Sequence, residues 1–310
     1  MRRLVGAEAS RLLLPALALA GLLIVIFILQ PRAFSYNGLR LLLGLSTPLI
    51  FAALAQMFIL TAGDIDLGIG TFIGLINCVA ATLLRDAPLL GVGAMGLCVL
   101  AYVVMGAAIH WRRLPSIVVT LGASFIWLGA AVLLLPRPGG QAPDWLYALM
   151  RIKPPLIPLP VLIALLAALA GHLVMMRTSY GVVLRGVGGN ARAITRAGWS
   201  LLHARMALYG LAGLSGVLAG LALTGLNTTG DPNVGVQYTL LSIASVIVGG
   251  GEFAGGIAAP IGAVVGGLIM HLAGSLLSFL RVNPDWQLSV QGAILIAVLA
   301  GRIILQRVRA

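Results

Sequence analysis

An all-α, polytopic membrane protein is the fold class this 310-residue sequence predicts, and three observations carry it. The chain is 60% hydrophobic and only 9% charged, where a soluble domain carries about 25% charged residues. Its mean hydropathy is +1.07. Apolar runs of about 20 residues, the length a helix needs to cross a bilayer, recur along the chain, so a helical bundle is expected rather than a barrel.

In order, the predicted spans are 12–30, 39–60, 69–84, 89–110, 116–135, 156–176, 201–223, 239–250, 260–280 and 286–306, about ten transmembrane helices in one domain, 1–310. The first follows Arg2, Arg3 and Arg11 and is longer than the roughly 7–15-residue core of a signal peptide, so it is expected to be retained. The third and eighth are short and glycine-interrupted, which marks broken or partly inserted helices. Broken or re-entrant segments are therefore expected near 61–68 and 249–259. Proline and polar glycine-rich stretches such as "QPRAFSYNG", "WRRLP", "PRPGGQAPDW" and "NTTGDPNVG" separate the spans. Glycine is frequent, 40 of 310 residues, and pairs such as Gly216/Gly220 and Gly262/Gly266 have the spacing that lets membrane helices approach closely.

A net charge of +12 on such a chain sorts by side of the membrane rather than indicating nucleic acid. With a cytoplasmic N-terminus, ten spans place thirteen of the twenty basic residues inside and seven outside, which favours N-in and C-in. Trp111, Trp145, Trp199 and Trp286 fall at predicted interfaces, as an aromatic belt requires. Cys78 and Cys98 lie in apolar runs without metal-site spacing and read as small buried hydrophobes. The four histidines, His110, His172, His203 and His271, are scattered. No Ser/His/Asp set or HExxH pair is present, so no catalytic residues, metal or cofactor are expected.

Three segments carry chemistry. In "LTAGDIDLGIG", residues 60–70, two carboxylates stand among glycines where ionised groups are costly. Asp66 is placed to cap a helix restarting near Leu67; the alternative is that Asp64 or Asp66 lines a watery path. In "RTSYGVVLRGVGGNARAITRAGWS", residues 177–200, Asn190 is placed to cap a short helix, Ala191–Ala197, that Gly198 ends. Its arginines make this predicted inner loop either an anchor on anionic lipid or a docking element for a cytoplasmic protein. The third, "SVIVGGGEFAGGIAAPIGAVVGGL", residues 245–268, lacks the Lys-Ser/Thr of a phosphate loop.

Taken together, "TAGDIDLGIG", "GVGGNARAITRAGW" and "ASVIVGGGEFAGGIAAPIGAVVGGLI" resemble, in order and spacing, three motifs of the permease subunits of bacterial ATP-binding-cassette sugar importers. Those importers are of the ribose type and share a superfamily with the branched-chain amino acid permeases. The resemblance spans about residues 35–305. It departs at two positions, with Asp64 where that family usually has glycine and Gly68 where it usually has serine.

Several expectations follow from the resemblance alone. The chain would sit in a bacterial inner membrane and pair with a second permease chain, identical or related. It would bind a cytoplasmic ATPase, which holds the ATP, and receive solute from a periplasmic binding protein. Coupling to the ATPase would fall on Arg185, Gly188, Gly189, Asn190, Arg192, Arg196 and Gly198. The solute would be a monosaccharide or related polyol, with branched-chain amino acids or nucleosides as alternatives and an ion-coupled secondary transporter as the rival class. Candidates for the path are Asp64 and Asp66 with the polar residues set in apolar spans, Gln56, Asn77, Thr120, Ser124 and Ser245. Phe125 and Trp127 are the candidates for stacking on a sugar face.

Overall fold

The computed structural model describes residues 2–283 and residues 286, 289, 292 and 293. Most of the tenth predicted span, 286–306, and the C-terminal arginines lie outside the described residues. Fourteen α-helices are described: α1 Arg2–Leu29, α2 Tyr36–Gly44, α3 Ser46–Thr61, α4 Ile69–Ala81, α5 Leu83–Asp86, α6 Pro88–Arg112, α7 Ser116–Leu134, α8 Asp144–Arg151, α9 Leu159–His172, α10 Ser179–Gly189, α11 Ala191–Arg196, α12 Leu201–Asn227, α13 Tyr238–Val248 and α14 Pro260–Phe279. A π-helical stretch, Leu173–Arg177, continues α9.

Among the described residues seven helices are long and apolar enough to cross a membrane: Leu12–Leu29, Ile69–Asp86, Pro88–Arg112, Ser116–Leu134, Leu159–Arg177, Leu201–Asn227 and Pro260–Phe279. The pair α2–α3, bent by 49°, makes an eighth if counted as one span. Pro48, the third residue of α3, explains the bend: its ring has no N–H to give and crowds the carbonyl four residues back. The predicted eighth span is the eleven-residue α13, too short to cross by itself. Residues 62–68 and 249–259 are non-helical between helices, where breaks were expected.

Helices α3, α4 and α12 form the centre. Every residue of α4 is buried, and every residue of α3 except Phe51. Helix α12 packs on α3, α6 and α4, and α13 on α14. The expected glycine pairs make these contacts. A methyl group on Gly216 would meet Phe72 and Ile69 of α4, and one on Gly220 would meet Ile76. Gly262 and Gly266 lie directly against the backbone oxygens of Gly249 and Ser245. Close backbone approach supplies the dispersion contacts that hold helices together where lipid removes the hydrophobic drive. Helices α6 and α7 turn apolar faces outward, with Leu97, Leu100, Val104, Val118, Phe125 and Leu133 exposed.

The connections gather at two ends. At one, Gly139 pairs with Gly230 and Gln141 N–H donates to the Ala81 carbonyl at 3.0 Å. At the other, the segments 62–68, 185–190 and 249–259 meet.

Candidate functional site

Residues 59–68 explain how an irregular backbone survives inside an apolar bundle. Gly63, at φ +82°, takes the left-handed conformation that ends α3. The Gly63 N–H then returns to the Leu60 carbonyl at 2.9 Å and the Asp64 N–H to the Ile59 carbonyl at 3.2 Å, the paired bonds of a Schellman cap. Beyond it the neighbours satisfy the backbone. Ile65 N–H donates to Ser116 Oγ at 3.3 Å, and Leu67 N–H to Thr120 Oγ1 at 3.0 Å. Thr120 Oγ1 in turn donates to the Ile65 carbonyl at 3.2 Å. With its amide nitrogen facing the carbonyl, Gln56 brackets both backbone groups of Asp66, at 3.2 Å each. An unwound stretch is tolerated at depth only with such partners.

The two carboxylates have separate partners. Asp66, 1% exposed, accepts the Gly68 N–H at 2.7 Å on Oδ1 and the Tyr102 hydroxyl at 2.8 Å on Oδ2. The helix restarts at Ile69 rather than Leu67, with Gly68 and not Asp66 at its N-cap, so Asp66 holds the N–H of the cap residue instead of capping the helix as expected. Asp64 Oδ2 accepts the Tyr209 hydroxyl at 3.0 Å and lies 3.5 Å from Arg205 Nε. Both side chains of this pair are largely buried, 10% and 20% exposed. Removing one partner of such a pair leaves an uncompensated charge, at a cost of about 3–5 kcal/mol. Tyr102, Tyr209 and Arg205 were not among the expected site residues. The signal available was a tyrosine in the middle of each of two apolar spans.

Arg205 borders a cavity of about 480 Å³ that opens beside Asp64, His110, Arg113 and Ser116. Behind Asp66 the rings of Phe72, Tyr102 and Trp127 cluster: Phe72 meets the other two edge-on at 4.6 and 5.6 Å, while Tyr102 and Trp127 stack at 6.2 Å.

Of the other expected path residues, Asn77 lies toward the opposite end of α4. Its Nδ2 donates to Thr224 Oγ1 at 2.8 Å and its Oδ1 accepts the Asp231 N–H at 2.7 Å. Ser124 and Ser245 donate to carbonyls of their own helices, Leu121 and Leu241, at 2.6 Å each, as lone hydroxyls in helices commonly do. Phe125 faces outward, 68% exposed.

The segment 177–200 forms the expected capped helix. Asn190 Oδ1 accepts the Ala193 N–H at 3.0 Å, and Gly198, at φ +82°, ends α11 with a second Schellman pair, Gly198 N–H to Thr195 and Trp199 N–H to Ile194. Arg192 and Arg196 are exposed on α11, whose surface is nowhere buried. Arg185 differs: its guanidinium donates to the Met175 carbonyl within the π-helical stretch.

The third segment completes the cluster. The Gly256 N–H donates to the Thr61 carbonyl at 2.9 Å. A methyl group on Gly255 would lie 2.9 Å from Gly63 Cα, closer than real carbon contacts allow, and a tight 3.1 Å from Gly188 Cα. One on Gly256 would sit 2.5 Å from Gly189 Cα. Three glycine-rich motifs far apart in sequence thus touch backbone to backbone at one point.

A bundle of apolar helices around a broken segment that carries buried acids is the architecture of a polytopic helical membrane protein. The chain belongs to the branched-chain amino acid transport system / permease component family, which matches residues 38–299. It is therefore an inner-membrane permease component, not an enzyme. It is 29% identical over 293 residues to the ribose import permease protein RbsC of Escherichia coli (strain K12), covering 91% of each chain. It is 26% identical over 287 residues to the D-allose transport system permease protein AlsC of the same strain, covering 88% of this chain and 85% of that one. It is likewise 26% identical over 287 residues to the galactose/methyl galactoside import permease protein MglC of Haemophilus influenzae (strain ATCC 51907 / DSM 11121 / KW20 / Rd), covering 85% of each. No solved structure matches the chain.

Proposed function

We propose that this chain is the transmembrane permease subunit of an ATP-binding-cassette importer and forms half of a path for a monosaccharide or related polyol. The observation that carries the reading is similarity along about nine-tenths of the chain to a permease named for ribose import. Permeases named for allose and galactose support the same solute class.

In this reading the chain is one permease domain with ten spans, the short α13 crossing only together with the non-helical stretch 249–259 as a broken span, and both termini in the cytoplasm, supported by the thirteen-to-seven distribution of basic residues. The end that carries α11 then faces the cytoplasm. There a partner ATPase docks on the exposed face around Asn190, Arg192, Arg196 and Gly198, while Arg185, Gly188 and Gly189 join that face to the broken segment. A periplasmic binding protein delivers solute at the opposite end. A second permease chain, identical or related, closes the path, against which the outward apolar faces of α6 and α7, including Phe125, are available. ATP binds the ATPase, and this chain needs no cofactor of its own.

A second reading, a branched-chain amino acid permease, is favoured by the family's own description. Uptake into proteoliposomes holding the chain, its ATPase and its binding protein separates them. With ATP inside the compartment facing the ATPase, one of D-ribose, D-allose and D-galactose is expected to accumulate and L-leucine is not. Accumulation of L-leucine alone, or uptake under a proton gradient without the ATPase, overturns the sugar-importer reading.

A further inference from the structure

We propose that the Asp64–Arg205 pair is a positioning latch: it ties the broken segment to the start of α12 and releases that segment when the α11 loop moves. The inference rests on the transport reading above and assigns a role to the acid that reading leaves unused.

Asp64 is fixed from behind. Its N–H closes the cap of α3, so its carboxylate projects from a rigid point toward α12. Arg205 and Tyr209 stand one turn apart on α12, both within reach of the same oxygen, Oδ2. The start of α12 is in turn joined to α11 by a short, well-defined link. Gly198 and Trp199 complete the α11 cap, and Ser200 Oγ accepts the His203 N–H at 3.3 Å as the α12 cap. A tilt of α11 therefore passes into the first turns of α12 with little chain to absorb it.

The other contacts at this point are backbone contacts among the three motifs rather than side-chain ties to α12, and one is a hydrogen bond, from the Gly256 N–H to the Thr61 carbonyl at 2.9 Å. Where the three motifs meet, Gly63, Gly188, Gly255 and Gly256 bring bare backbone against bare backbone. The side-chain bonds to 65–68 come from α3, α6 and α7. The tie to α12 runs through Asp64. That tie is also built to open. Arg205 Nε lies 3.5 Å from the carboxylate and makes no hydrogen bond among the described residues, so the contact is a charge pair without a locked fork. The cavity beside it, about 480 Å³, gives the guanidinium room to swing toward the His110 and Ser116 side.

The test uses the reconstituted complex of this chain with its ATPase in proteoliposomes. ATP hydrolysis is measured without sugar, then with binding protein and a saturating mixture of D-ribose, D-allose and D-galactose. Asp64→Asn and Arg205→Gln are each expected to raise sugar-independent hydrolysis about fivefold, a typical coupling between sites, and to shrink the ratio of stimulated to basal rate. Tyr209→Phe should move both quantities the same way by less. The double variant should add nothing to either single, because both break one contact. It also leaves no lone buried charge, so together with Tyr209→Phe it carries the test if the singles do not fold. An unchanged ratio in all of them, or basal and stimulated rates falling together, overturns the latch. A wild-type complex that accumulates no sugar would overturn the transport reading itself. Normal uptake with an unchanged ratio overturns the latch alone.

Discussion

Asp66 and Asp64 lie two positions apart and have different partners. The two oxygens of Asp66 hold the Gly68 N–H just ahead of α4 and the α6 tyrosine at once. Tyr102→Phe removes a donor from a buried carboxylate, and bonds to charged groups contribute about 1.5–3 kcal/mol. Thermal unfolding of the purified protein in detergent should therefore shift down for Tyr102→Phe, whereas the exposed Phe125→Leu should leave it unchanged. Gly255→Ala should lower it further, since the new methyl group meets two backbones and φ is +77°. The bond of Asp66 to the backbone just ahead of α4 was legible in the sequence because its partner, Gly68, is two residues away, although Gly68 rather than Asp66 is the N-cap. The partners of Asp64 were not, because nothing in local spacing selects Arg205 and Tyr209 from the other arginines and tyrosines.

Among the elements, α11 is the one the sequence described best. Its N-cap and its glycine stop are set by bonds within about five residues and are present as expected, with the helix ending at Arg196, one residue before the expected Ala197. Asn190→Ala removes the cap, which costs about 0.5–2 kcal/mol of local helix stability. In the reconstituted complex that variant should lower sugar-stimulated ATP hydrolysis while leaving the affinity of the binding protein for sugar unchanged. Full stimulation would make the loop an anchor only. The same helix-end logic recurs at Gly63, Gly198 and Gly250, each at positive φ just beyond a helix. Less legible was α13, drawn as a short span from its apolar run. Hydropathy measures what a segment is made of, and an apolar run of eleven residues suits a buried partial helix as well as a crossing one.

For the whole molecule, the described residues hold seven spans or eight, and two ends at which the connections meet. The proposed orientation is checked by reporter fusions along the chain. A fusion within 136–143 should read as periplasmic, and one within 192–198 as cytoplasmic. Both on one side would refute the alternation of spans. The glycine pairs at Gly216/Gly220 and Gly262/Gly266 belong to this scale too, because they set how closely α12 meets α4 and α14 meets α13. Their spacing was visible in advance, whereas the helices they would meet were not.

The sequence by itself determined the membrane class, the apolar segments, the breaks near 61–68 and 249–259, and the cap at Asn190. All of these depend on composition or on hydrogen bonds that close within a turn or two of chain. Only the tertiary structure decided that three glycine-rich motifs share one contact point and that Asp64 has a cation and a hydroxyl opposite it. It also decided that Asn77 stands at the other end of α4 from the acids. Those outcomes depend on the relative height and rotation of whole helices, which is fixed by the summed packing of many small contacts rather than by any pattern within one segment.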